Sequence, residues 1–196
     1  MRMTPFQTKK TSPSELRQLI AEKEGRILRG LWPSSSLACG VPKSAISEIS
    51  GTAKIEWLAQ FFRENPTLIV FWAEEKYNLL PTAFSQRGIS LNRFIFADCG
   101  KELFVTLRKA LRSHVFNCVV APNQFEEERP LKALQLLTER CHSSLILLTE
   151  EIKPKWPVCL QVEIDHAPSA AADDAHFLIR IVKNKRSHSI EPTVIS

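Results

Sequence analysis

The sequence predicts a mixed α/β fold, in which a mostly parallel sheet is flanked by helices and closes with an antiparallel hairpin. After residue 42, strand-like and helix-like stretches alternate along the chain. Two of the predicted strands, 67–72 and 144–148, are apolar on both faces, which is typical of parallel strands covered by helices on both sides. The last two predicted strands, 158–164 and 177–182, have no helix between them, which indicates the antiparallel pair.

The composition is that of a globular protein with a substantial core. Of the 196 residues, 44% are hydrophobic and 24% are charged, so a single domain with short extensions is expected. No apolar run approaches the roughly 18–20 residues of a membrane helix, and the N-terminus lacks the apolar centre of a secretory signal. The five cysteines lie far apart, without a CxxC pair, and the histidines show no ligand spacing. We therefore expect a cytoplasmic protein without disulfides or a metal site.

The region before the core is predicted to contain a polar arm and one helix. Ser12 is suited to cap a helix. It is followed by a proline at the first helical position and by an acid at the third. Leu16, Leu19 and Ile20 follow at helical spacing, which predicts a helix over residues 13–29. The stretch that comes next is rich in proline and serine and is expected to be a linker. The predicted organisation has three parts: arm, helix and linker over 1–42, core over 43–186, and tail over 187–196.

The core is expected to contain seven strands and four helices. Apolar, β-branched and aromatic residues dominate the predicted strands, and apolar residues three or four positions apart mark the predicted helices. The strands are expected at 45–49, 67–72, 94–97, 117–121, 144–148, 158–164 and 177–182. The helices are expected at 55–63, 76–87, 100–114 and 130–140.

The first strand of the core leads through Gly51 directly into a helix, which is the arrangement that carries a phosphate-binding loop. Such a loop has the pattern G-x-x-x-x-G-K-[ST]. Its backbone N–H groups surround a phosphate, and its hydroxyl residue holds magnesium. Here the second glycine and the hydroxyl residue are both missing. We therefore interpret the stretch 46–62 as a nucleotide-binding element that has lost its chemistry.

From this loop to the closing hairpin, roughly residues 45–186, the chain resembles the RecA-like ATPase core. The resemblance depends on several short segments that occur in the same order as in that family. The most specific is Val-Lys-Asn-Lys at 182–185, which is similar to part of the family's last strand. The other matching segments are 44–51, 71–74, 88–94, 117–122 and 160–164.

The resemblance assigns roles to four positions. Gly51 matches the first glycine of the phosphate loop, and Lys54 stands where the family has its phosphate-binding lysine. Glu74 stands at the place of the catalytic glutamate, and Pro122 replaces the Walker B aspartate that helps to hold the metal. The segment between Gly51 and Lys54 is about three residues too short for a phosphate cradle. We therefore expect no ATPase activity and no bound ATP or other cofactor.

Recombinases of this family bind DNA through two mobile loops, and both places hold short segments in this chain. The first contains Glu126, Glu127 and Glu128, whose charges repel phosphate. The second contains Trp156 between two lysines, and we expect this tryptophan to pack on the domain surface rather than on a base. Direct DNA binding is therefore expected to be weak or absent.

A RecA-like domain without ATPase chemistry is expected to act by recognition. The chain resembles the ImuA group, whose members are bacterial RecA-like accessory proteins of translesion mutagenesis in the SOS response to DNA damage. A similar N-terminal helix precedes the core in that group. The resemblance implies a RecA protein or a Y-family polymerase-like subunit as the partner. The interacting residues are expected in the N-terminal helix and near the last strand: Leu16, Leu19, Ile20, Lys183, Lys185 and Arg186.

Two alternatives remain open. The first is a SulA-like division inhibitor that binds FtsZ, since SulA also has a RecA-like fold without a phosphate loop, although it lacks so developed an N-terminal helix. The second is a degenerate enzyme with a small-molecule pocket at the carboxyl ends of the strands. Glu74, Glu75 and Asp98 are expected near that edge of the sheet.

Overall fold

A computed structural model of the protein describes residues 30–76, 79–167 and 177–186. Contacts between residues divide the chain after Gly30, and the sheet with its helices lies in the second unit, Leu31–Ser196. The predicted helix over 13–29, with Leu16, Leu19 and Ile20, lies outside the described residues, as does the tail after residue 186. The predicted division at residues 42 and 186 stays a prediction.

The described residues form nine strands and four α-helices. The strands are β1 Leu31–Trp32, β2 Val41–Pro42, β3 Ile46–Ser50, β4 Val70–Glu74, β5 Phe94–Asp98, β6 Cys118–Pro122, β7 Ser144–Leu148, β8 Leu160–His166 and β9 Phe177–Asn184. The helices are α1 Lys54–Glu64, α2 Pro81–Gln86, α3 Leu103–Arg112 and α4 Glu128–Cys141. Two short 3-10 helices, Leu91–Arg93 and Gly100–Glu102, precede β5 and α3.

Seven of these strands form one sheet in the order β5-β4-β6-β7-β3-β8-β9. Strands β3 to β8 run parallel to their neighbours, and β9 pairs antiparallel with β8. The predicted α/β fold, with a mostly parallel sheet, flanking helices and a closing hairpin, is confirmed. No helix among the described residues is long and apolar enough to cross a membrane.

Helices cover both faces of the sheet, which explains why its central strands are apolar on both sides. On one face, Trp57 and Phe62 of α1 and Phe84 of α2 belong to a cluster of buried aromatic rings. On the other face, Leu107 of α3 and Leu134 of α4 pack with the buried side chains of β6 and β7. Every residue of β3 is buried, so the strand that leads into the vestigial loop lies in the centre of the core.

Two helices differ from their predicted bounds for local reasons. The helix expected over 76–87 begins only at Pro81, because a proline fits the first helical turn and disfavours helical geometry in the residue before it. The backbone N–H of Leu79 donates instead to the Glu74 carboxylate, at 3.2 Å. The helix expected over 100–114 begins with the 3-10 helix Gly100–Glu102 and ends at Arg112.

The stretch expected to be a linker packs on the sheet. Strands β1 and β2 pair antiparallel, and Leu37 and Val41 are buried in the core. The indole N–H of Trp32 donates to the Ser144 hydroxyl at 3.0 Å, which ties this stretch to β7. The stretch therefore forms a short hairpin, in which the N–H of Gly40 donates to the carbonyl oxygen of Leu37 at 2.7 Å.

Candidate functional site

The four positions to which the resemblance assigns nucleotide-binding roles lie at one edge of the sheet. Gly51 follows β3, Glu74 ends β4 and Pro122 ends β6, and these strands run parallel, so their carboxyl ends share that edge. Lys54 begins α1 at the same edge. In open α/β sheets this is the edge at which ligands bind. The positions selected by the resemblance therefore lie at the edge of the sheet where the topology predicts a ligand site.

The short loop between β3 and α1 is closed against β8. Gly51 has a φ of +98°, and a Cβ atom on it would lie 2.1 Å from the carbonyl oxygen of Ile164. The N–H of Ala53 donates to that same oxygen at 3.0 Å. The backbone N–H and the hydroxyl of Thr52 donate to Oδ1 of Asp165, at 2.8 and 2.9 Å. The N–H groups of Thr52 and Ala53 are therefore bonded to the end of β8.

Asp165 places a negative charge next to the N-terminus of α1. The N–H and hydroxyl of Thr52 lower the pKa of Asp165 below its ordinary value of 3.8, because both hydrogen bonds favour the carboxylate. Ala53 caps the helix without a side-chain hydrogen bond, so α1 has no conventional N-cap. The carboxylate of Asp165 thus lies where a helix dipole favours an anion.

Lys54 is directed away from the loop. Its ammonium lies 2.7 Å from a carboxylate oxygen of Glu150 and 3.5 Å from the carbonyl oxygen of Thr149. Both partners belong to the segment that follows β7. The side chain of Lys54 is mostly buried, whereas that of Glu150 is almost fully exposed, so water weakens this ion pair.

A cavity of about 310 Å³ opens at the carboxyl ends of β4, β6 and β7. The chain passes from β4 to β5 on one side and from β6 to β7 on the other, so the cavity lies at a topological switch point. Gly51, Lys54 and Asp98 do not line it, and Glu74 and Pro122 do. The polar and aromatic lining side chains are Trp72, Glu74, Glu75, Lys76 and Gln124.

The carboxylates of the cavity already have partners in the protein. Glu74 accepts the indole N–H of Trp72 at 3.0 Å, in addition to the N–H of Leu79. Glu75 accepts a hydrogen bond of 2.6 Å from the side-chain amide of Gln124. The cavity is thus a polar recess whose two acids, Glu74 and Glu75, are both held by hydrogen bonds.

A buried glutamate that the sequence reasoning overlooked lies in the middle of β3. Glu48 is 0% exposed, on the face of the sheet covered by α3 and α4. Its two carboxylate oxygens accept hydrogen bonds from the side-chain amides of Asn123 and Gln161, and the ammonium of Lys155 lies 3.8 Å away. A fully buried acid needs such partners, because an unpaired one is very costly. The only local signal was an acid between Ile46 and Ile49 in a buried strand.

The Glu48 network holds the segment between β7 and β8 in place. The amide of Gln161 also donates to the carbonyl oxygen of Lys153, at 2.8 Å, and the ammonium of Lys155 donates to that of Phe125, at 3.0 Å. The ammonium of Lys183 donates to the carbonyl oxygen of Lys155. Side chains of β8 and β9 thus bind the backbone carbonyl groups of Lys153 and Lys155.

Trp156 follows directly in this segment and is 63% exposed. The expectation that its ring packs on the domain surface rather than on a base stays a prediction. The ammonium of Lys185 lies 3.3 Å from the centre of the ring and donates to the carbonyl oxygen of the same tryptophan. The indole is therefore held by a cation rather than by an apolar surface.

The basic residues predicted as an interaction site lie together around β9. Burial lowers the pKa values of Lys183 and Lys185, and repulsion from Lys183 lowers that of Lys185 further. Arg186 donates from its guanidinium to the carbonyl oxygen of Lys43, at 2.9 Å. The structure thus brings the three predicted basic residues to one side of the closing hairpin, far along the sheet from β4 and its cavity.

Comparison with models of known protein families gives no match for this sequence, and no curated protein matches it. Within the described ranges, no group of three or more His, Cys, Asp or Glu side chains could hold a metal ion.

Proposed function

We propose that the protein is a RecA-like accessory protein that acts by protein–protein recognition, without nucleotide, in SOS-type translesion mutagenesis. One observation carries the proposal: the loop at the place of the phosphate cradle is bonded to β8. The N–H groups of Thr52 and Ala53 are used by Asp165 and Ile164. A phosphate cradle needs such N–H groups to point at the ligand, so this geometry supports a recognition domain.

The positions with vestigial roles support the same reading. Lys54 is paired with Glu150, and Pro122 offers no metal ligand. The Glu74 carboxylate accepts hydrogen bonds from Trp72 and Leu79, so it is already engaged within the protein. A domain of this kind keeps a stable sheet on which partner-binding elements are displayed.

The proposal is tested by capture of three purified proteins of the same organism: RecA, the Y-family polymerase-like subunit and FtsZ. The full chain is compared with a variant in which Leu16, Leu19 and Ile20 are all replaced by serine. We expect RecA or the polymerase-like subunit to be captured, and we expect the triple variant to capture about tenfold less, because apolar anchors dominate interface energies.

A matched control replaces three exposed apolar residues on the surface of the α/β domain by serine: Ile95, Val105 and Leu136. This variant is expected to capture the partner as the unmodified chain does. Capture of FtsZ alone would instead favour the SulA-like division inhibitor. If both triple variants lost partner capture equally, the predicted N-terminal helix would not be the binding element.

The cavity at the ends of β4 and β6 supports a second candidate, a small-molecule site. Its volume of about 310 Å³ and its position at a switch point are those of a small ligand pocket. This reading would take precedence if none of the three proteins were captured and a small molecule raised the melting temperature saturably. Gln124→Ala, which removes the partner of Glu75, should then reduce that effect.

A further inference from the structure

We propose that Trp156, Val182, Lys183 and Lys185 form a docking surface for an acidic, partly apolar segment of a partner protein. We refer to these four residues as the Trp156 surface. The inference rests on the proposed recognition function and adds to it the chemistry of the partner. It concerns the closing hairpin and the segment before β8, which lie away from the cavity at the ends of β4 and β6.

Trp156 is both exposed and held in a defined position. Its backbone N–H donates to a carboxylate oxygen of Glu128 at 3.3 Å, and its carbonyl oxygen accepts the ammonium of Lys185. The same ammonium lies over its ring. A tryptophan whose position is already fixed loses little conformational entropy on binding, and this residue type dominates the energetics of interfaces.

The segment beneath Trp156 is bound to the core through buried polar groups. Gln161 donates to the carbonyl oxygen of Lys153 and also to Glu48, which is completely buried. Lys155 lies near Glu48 and donates to the carbonyl oxygen of Phe125. The segment that carries Trp156 is therefore fixed by hydrogen bonds to buried residues. Such pre-organisation lowers the entropy cost of binding a partner.

A β-bulge directs Lys183 towards this segment. Ile181 pairs with Val162, whereas Lys183 pairs with the preceding residue, Gln161, so Val182 has no partner in the register. Without this shift, Lys183 would share the face of Ile181, because alternate residues of a strand point to the same side. With the shift, it lies opposite Gln161 and binds the carbonyl oxygen of Lys155. The extra residue, Val182, is 38% exposed beside it.

The charges of the surface match an external carboxylate. The lowered pKa values of Lys183 and Lys185 show that burial removes more hydration from each ammonium than the nearby acids replace. An ammonium has three donors, and the hydrogen bonds to the carbonyl oxygens of Lys155 and Trp156 use one on each lysine. Carboxylates can take the remaining donors, while the indole and Val182 contact apolar side chains.

The neighbouring acids favour a protein partner over a nucleic acid. Glu128 accepts a hydrogen bond from the backbone N–H of Trp156. The two residues that precede Glu128 in the sequence, Glu126 and Glu127, are exposed. These charges oppose a phosphate backbone that passes over the indole. A short peptide carries fewer negative charges than a phosphate backbone, so it meets less of this repulsion. The surface thus suits an acidic protein segment.

The test uses the full chain and fluorescently labelled probes, with binding followed by anisotropy. The first probe is a short soluble peptide in which Asp or Glu alternates with Leu or Thr, and the second is oligo-dT. We expect the acidic peptide to bind saturably and oligo-dT to bind much more weakly. Trp156→Ala and Lys185→Glu are each expected to weaken peptide binding about tenfold or more.

Two matched variants control for general effects. Leu136 is 63% exposed on α4, as Trp156 is in its segment, and Lys109 is an exposed lysine of α3. Leu136→Ala and Lys109→Glu should leave peptide binding unchanged, and thermal melting should show that all four variants fold. Tighter binding of oligo-dT through Trp156, or peptide binding that is indifferent to Trp156, would overturn the inference.

The outcome can be separated from that of the proposed function. Capture of RecA or the polymerase-like subunit, together with peptide binding that ignores Trp156, would leave the proposed function intact and remove the Trp156 surface. Peptide binding that depends on Trp156, with none of the three proteins captured, would support the surface and count against the proposed partners.

Discussion

Replacing Gly51 with alanine is expected to lower the free energy of unfolding by about 3–5 kcal/mol. The φ of +98° is strained for any L-residue, and the new Cβ would lie 2.1 Å from the carbonyl oxygen and 2.6 Å from the carbonyl carbon of Ile164. The backbone of β8 would have to move, which would break the hydrogen bond between Ala53 and Ile164. Urea denaturation of the two proteins measures the loss.

Gly88→Ala is the matched control for this change. Gly88 also has a positive φ, of +76°, but no atom lies within 4 Å of the position of an added Cβ. Its replacement therefore carries backbone strain without a clash, and we expect a loss of about 1–2 kcal/mol. The difference between the two variants isolates the contact between the loop and β8. Equal losses would mean that the loop does not lie against Ile164.

Glu48→Ala is expected to destabilise the protein by about 3–5 kcal/mol, although it removes a charge from the core. The substitution leaves the amides of Asn123 and Gln161 without their acceptor and Lys155 without its nearest buried acid. Buried donors that lose their partner carry the full cost of desolvation. Denaturant unfolding, monitored by circular dichroism, measures the effect.

The neighbouring residue provides the control. Ser47 is also buried in β3, but its hydroxyl has no hydrogen-bond partner among the described residues. Ser47→Ala should therefore be neutral or slightly stabilising, because it removes an unsatisfied polar group. A Glu48→Ala variant as stable as Ser47→Ala would contradict the network. The Glu48→Ala variant should also bind the acidic peptide more weakly, since the segment that carries Trp156 is anchored by Glu48.

The fold was predictable because its main signals are local. The apolar run at 144–148 coincides with β7, and the paired final strands were recognisable from the missing helix between them. The largest shift of a bound is the start of α2, which Pro81 decides. The packing of residues 31–42 was not predictable, because proline and serine in that stretch are equally compatible with a linker and with tight turns.

The site was only partly predictable, since its interactions join distant parts of the chain. Glu48 meets Asn123 and Gln161, which are 75 and 113 residues away, and no local pattern in β3 indicates either contact. The β-bulge that redirects Lys183 depends on the register with β8 and leaves no mark in the sequence. The short connection after Gly51 was visible in the sequence, whereas its hydrogen bonds to Ile164 and Asp165 required the geometry of the sheet.

The central claim is that this domain works without a nucleotide, and calorimetric titration with ATP and magnesium tests it most directly. We expect no saturable heat of binding at ATP concentrations up to about 1 mM. The reason is that the N–H groups of Thr52 and Ala53 are already bonded to the end of β8. Saturable binding that is abolished by Lys54→Ala would contradict the account. It would show that the loop opens to hold phosphate and that the ancestral site is still in use.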